Sequence, residues 1–121
     1  MLKDDFYKIV QMDTEGASVK AALSLNAGHN IFKGHFPGTP VVPGVCMMQM
    51  VKDLVEITTG APVLLSKADS IKFLSVIDPS VSNVVNIALL LKRTDEAVEV
   101  SASLLLGGTV CFKFRGKFVA F

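Results

Sequence analysis

Apolar and polar positions alternate along most of this chain, and one stretch near the middle changes to a helical period. Phe6–Met12 reads as a short strand and Ser18–Leu25 as a second. Asn26-Ala27-Gly28-His29-Asn30 is a polar loop. Ile31–Val42 carries glycine and proline breakers after Phe32, so an ordered loop or broken turn is expected there. Pro43 suits the first position of a helix, where its missing N–H leaves nothing unsatisfied. The helix is predicted to run from Pro43 to Thr59, with Gly60 as its C-terminal cap. Its seventeen residues give roughly 25 Å. Met47, Met48, Val51, Leu54, Val55 and Thr58 form a broad apolar stripe, while Gln49, Lys52, Asp53 and Glu56 share the other face. The first half is apolar nearly all round and is expected to be buried.

After Pro62 the two-residue period returns. Val63–Leu74, Val84–Lys92, Val98–Leu106 and Val110–Phe121 read as four further strands. Thr94-Asp95-Glu96 and Gly107-Gly108-Thr109 read as hairpin turns, and Asp78-Pro79-Ser80 breaks the chain before the second of these strands. Two strands, a helix and four strands show no βαβ alternation. The pattern predicts an α+β fold in which one antiparallel sheet packs on one hydrophobic helix. With no repeat, linker or low-complexity segment, a single domain over residues 1–121 is expected.

Composition adds a partner. Half of the 121 residues are hydrophobic and only 19% are charged. A chain this small cannot easily bury so much apolar surface alone, which predicts a homodimer or a higher even oligomer. A net charge of +1 without a basic block argues against nucleic acid. Apolar runs such as Ile87–Leu91 are far too short to span a membrane. No apolar signal core follows Met1-Leu2-Lys3-Asp4-Asp5, so a cytoplasmic location is expected. Cys46 and Cys111 are far apart and belong to no Cys/His cluster, so two buried thiols are expected, and no metal or cofactor.

The chemistry is concentrated in one run, Gly34-His35-Phe36-Pro37-Gly38-Thr39-Pro40-Val41-Val42-Pro43-Gly44-Val45. It resembles the signature of the (3R)-hydroxyacyl-acyl carrier protein dehydratases of fatty acid synthesis. Several glycines and prolines at fixed offsets make this a specific signal. Ile71-Lys72-Phe73-Leu74 followed by Asp78-Pro79, and Gly108-Thr109-Val110 entering the last strand, are also similar to that family. The resemblance implies a hot-dog fold, a curved antiparallel sheet wrapped around one long central helix. It also implies an acyl thioester on acyl carrier protein or CoA as substrate.

Eliminating water from a 3-hydroxyacyl thioester needs a base for the α-proton, stabilisation of the enolate oxygen, and help for the leaving hydroxyl. His35 is the candidate base, because histidine titrates near neutral pH. Its alternative is a structural histidine that caps a turn. Gly44 and Val45 open the helix, where unpaired amide N–H groups suit a thioester oxygen. Phe36 is a candidate substrate contact. Phe32 and Phe73 join it as possible walls of an acyl tunnel, with plain core as the other reading.

One position departs from the family. Its catalytic carboxylate lies on the helix fourteen residues after the histidine, and here that position is Gln49. An amide accepts and donates hydrogen bonds but delivers no proton. A positioned acid typically contributes on the order of 10²–10⁴ in rate. His35 then either performs both proton transfers or works with Asp53, one turn beyond Gln49, where the family commonly has an amide. Asp53 is otherwise a solvated helix residue. A third account is that the protein does not dehydrate: a partner subunit supplies the acid, the chain is a non-catalytic carrier-binding subunit, or the site hydrolyses thioesters. Three other features have ordinary readings beside functional ones. Cys46 is either a nucleophile or inert, and His29 is a solvent-exposed loop residue. Lys113, Arg115 and Lys117 line one face of the last strand. They are either a docking stripe for an acidic carrier protein or a device against edge-to-edge aggregation.

Overall fold

All six predicted strands are present in the computed structural model, which describes residues 2–34, 38 and 40–121. They are β1 (Tyr7–Glu15), β2 (Ser18–Leu25), β3 (Val63–Phe73), β4 (Val84–Arg93), β5 (Val98–Leu106) and β6 (Thr109–Ala120). They form one sheet in the order β1-β2-β4-β5-β6-β3, and every neighbouring pair is antiparallel. The alternation decides which face is buried. In β5, Val100, Ala102 and Leu104 point into the core while Glu99 and Ser101 are exposed. In β6, Phe112, Phe114 and Phe118 are buried and Lys113 and Arg115 are exposed. Gly107 and Gly108 turn β5 into β6 with φ of 56° and 85°, a left-handed pair that favours glycine at both positions of a tight hairpin.

Both helices lie in the connection from β2 to β3. That connection carries the chain from one side of the sheet to its far edge. The main helix, α2, spans Gly44–Thr59, sixteen residues, with Pro43 as N-cap and Gly60 closing the C-terminus through its N–H to the Glu56 carbonyl at 2.8 Å. It is one residue shorter than predicted. Cys46, Met47, Met50, Val51, Leu54 and Val55 are buried in one cluster with the inward strand residues. Each such side chain contributes about 1.5–3 kcal/mol when fully buried. The expected fold is therefore present as an antiparallel six-stranded sheet with one principal helix.

Several expectations need correction. The first half of α2 is not buried all round, because Val45 is 78% exposed. The stretch after Asn30 is not wholly irregular. Ile31–Gly34 form a one-turn helix, α1, which Phe32 anchors in the core against Phe6. His29 starts that turn: its Nδ1 accepts the Ile31 N–H at 3.1 Å and its Nε2 meets the Asp5 carboxylate at 3.1 Å. It is a partly buried structural histidine rather than a free loop residue. Finally, β6 lies inside the sheet between β5 and β3, so its cations cannot guard an edge.

The sheet has two edge strands, β1 and β3, and β3 is mostly apolar and uncovered. Only Val63 is buried, whereas Leu64, Leu65, Ile71 and Phe73 are exposed. Exposed apolar residues on an open edge form a surface of the kind that partners cover.

Candidate functional site

The second half of the glycine- and proline-rich run is tied to the body of the protein. Val42 is buried and donates its N–H to the Ile77 carbonyl at 2.9 Å. Pro43 follows, also buried, and its carbonyl accepts from Cys46 and Met47 to begin α2. Among the described residues, the N–H groups of Gly44 and Val45 have no backbone partner. These are the free donors that any helix start presents.

The two residues that carry them line a groove of about 490 Å³ between α2 and β3. Gly44, Val45, Met48, Gln49 and Lys52 form its helical wall, and Leu65, Ile71 and Phe73 form its strand wall. Phe73 stacks obliquely on Phe112 with ring centroids 5.2 Å apart. A Cβ at Gly44 would lie 2.8 Å from Cζ of Phe73, so glycine lets the ring close against the helix start. Of the three candidate tunnel aromatics, Phe73 lines this groove, Phe32 is core, and Phe36 lies outside the described residues. His35 also lies outside them, so its distance from Gln49 is not part of this geometry.

Gln49 and Asp53 are the polar pair. Asp53 is not solvated; it is fully buried, the sole buried charged residue among those described. Its Oδ2 accepts from the Tyr7 hydroxyl at 2.9 Å and the Leu2 N–H at 3.0 Å, and its Oδ1 accepts from Gln49 Nε2 at 2.7 Å. Three donors satisfy a carboxylate that has lost its water. Burial first, and then the Asp53 charge and hydrogen bond, hold the Tyr7 phenol above its ordinary 10.0, so it remains a donor. Asp53 does not line the groove and reaches it only through Gln49. Among the described residues no carboxylate lines the groove.

Tyr7 and Leu2 carried no signal as partners of Asp53, except that a tyrosine on an amphipathic strand needs a hydroxyl partner once buried. Cys46 is buried and burial pushes its thiol up, which leaves it inert. Among the described residues no group of three His, Cys, Asp or Glu is placed to hold a metal ion, and no helix is long and apolar enough to cross a membrane.

Known proteins agree with this architecture. A family profile described as ApeI-like, ApeI dehydratase, matches residues 11–104. A 3-hydroxyacyl-acyl-carrier-protein dehydratase FabZ of Rhizorhabdus wittichii is 29% identical over 108 residues, 82% of this chain but 59% of that protein's length. The FabZ of Pediococcus pentosaceus is 24% identical over 117 residues, 87% of this chain and 78% of that protein. The dehydratase heterocomplex ApeI:P from Xenorhabdus doucetiae superimposes with a TM-score of 0.76 at 17% identity, covering 93% of this chain and 97% of that one. At that identity the likeness shows the fold, while the profile spans most of the chain and identifies the lineage. The chain belongs to the ApeI-like family of dehydratases.

Proposed function

We propose that this protein removes water from a 3-hydroxyacyl thioester carried by acyl carrier protein or CoA, giving the trans-2-enoyl thioester. The observation that carries this reading is the groove, an apolar trough lined by the two residues of a helix start whose amide hydrogens have no backbone partner. In this reading the Gly44 and Val45 N–H groups stabilise the thioester oxygen as the enolate forms. Phe36 flanks the acyl chain. His35 removes the α-proton, the C–O bond at the hydroxyl breaks as the double bond forms, and the hydroxyl leaves as water. Gln49 orients that hydroxyl but has no proton to give. His35 therefore returns the one it took. No cofactor enters these steps.

The reading takes residues 1–121 as one hot-dog domain in the cytoplasm, its sheet wrapped around α2. The uncovered apolar edge of β3 supports pairing with a second copy. Lys113 and Arg115, exposed on the outer sheet face, offer charge complementary to an acidic carrier protein.

A second reading has its own support. With no carboxylate in the described groove, the chain suits a subunit whose acid comes from a partner. Purified protein supplied with an enoyl thioester and a 3-hydroxyacyl thioester separates the readings. Reversible change in enoyl absorbance without thiol release is expected. Thiol release would indicate hydrolysis instead. Inactivity restored by Gln49→Glu or by a partner subunit would favour the second reading.

A further inference from the structure

We propose that Asp53 is a positioning residue that locks the Gln49 amide with its oxygen toward the groove. The site then selects a ligand with a hydroxyl, rather than a carbonyl, at the position facing Gln49. This rests on the reading that the groove holds an acyl thioester.

A carboxylate accepts hydrogen bonds and donates none. Gln49 approaches Asp53 Oδ1 at 2.7 Å, so the group facing Asp53 must be the NH₂, and the amide oxygen is left for the groove that Gln49 lines. The lock holds because the rest of the carboxylate is occupied. Oδ2 takes the Tyr7 hydroxyl and the Leu2 N–H, and both are donors. The Tyr7 proton is held firmly, since burial raises its phenol above the ordinary 10.0. Asp53 is sealed from water, so solvent cannot compete for its lone pairs.

The groove end is thus an acceptor. A ligand hydroxyl donates to it. A ligand carbonyl at the same place would set two oxygens face to face, with neither proton between them. One hydrogen bond made or lost corresponds to roughly 3- to 10-fold in affinity.

Asp53→Asn gives a test that a merely structural role would not pass. Tyr7 and Leu2 would hold the Asn oxygen and turn its NH₂ toward Gln49. The Gln49 amide must then flip and show N–H to the groove. The probes are the pantetheine amide analogues of 3-hydroxyhexanoate and 3-oxohexanoate, which resist elimination and hydrolysis. Titration calorimetry of the wild-type protein is expected to favour the hydroxy compound by about 10-fold, and Asp53→Asn to abolish or invert that ratio. Gln49→Met keeps the volume and removes the acceptor, so it should bring the ratio to about one even where Asp53→Asn does not fold. Equal binding of both probes by the wild type overturns the proposal and leaves the thioester reading standing, as does an unchanged ratio in folded Asp53→Asn. Binding of neither probe overturns both.

Discussion

The two sides of α2 differ in what they ask of their residues. Its sealed side sets Met50, Leu54 and Asp53 against the sheet and the N-terminal segment, and both carboxylate oxygens of Asp53 have donors. Its open side sets Gly44, Val45 and Gln49 on a groove, with free donors and an exposed apolar residue. One turn of helix separates the carboxylate from the amide, yet one is sealed among donors and the other lines the groove. The contrast shows that a polar side chain's role follows from what meets it, not from its chemistry or its position in a stripe.

Substitutions should split along that line. The largest effect is expected for Asp53→Ala, which strands the Tyr7 hydroxyl, the Leu2 N–H and the Gln49 amide; about 3 kcal/mol or more should be lost in urea unfolding. Next, Leu54→Ala on the sealed side should cost about 3 kcal/mol, against less than about 0.5 for Val45→Ala on the open side. Equal losses in the same urea series would erase the distinction.

Tyr7→Phe should cost about 1–2 kcal/mol at neutral pH. It should also change the pH profile. The folded phenol titrates above its ordinary 10.0, so its contribution is complete below that pH and is lost as pH rises through and beyond it. The wild type should weaken in alkali, and Tyr7→Phe should flatten that decline. Tyr7 is the chain's only tyrosine, so tyrosinate absorbance should appear together with unfolding and not before it. A small net stability effect is expected for Gly44→Ala. The alanine gains helix propensity but pushes the exposed Phe73 ring, so stability should stay within about 1 kcal/mol. Affinity for the hydroxyacyl amide should nevertheless fall several-fold as the ring enters the groove. Unfolding and titration run side by side check this.

Much of the fold is legible because its elements are periodic. Ser18–Leu25 and Val98–Leu106 have the bounds that alternation predicts, and Pro43 and Gly60 bracket α2. The one-turn helix at Ile31–Gly34 escapes the pattern, since His29 and buried Phe32 are held by Asp5 and Phe6, which lie far back in the sequence. The place of β6 escapes as well. An alternating strand with cations on one face looks the same at an edge or in the interior.

The sequence by itself determined which residues alternate, where the helix starts and stops, and which run resembles the dehydratase signature, with Gln49 where that family has an acid. Those are local properties of spacing, breakers and side-chain type. Only the tertiary structure decided that Asp53 is sealed and Gln49 is not, and that β3 is an edge with its apolar residues exposed. Burial depends on which elements meet. Leu2 and Tyr7 reach Asp53 from 51 and 46 residues away, a pairing that no local pattern encodes.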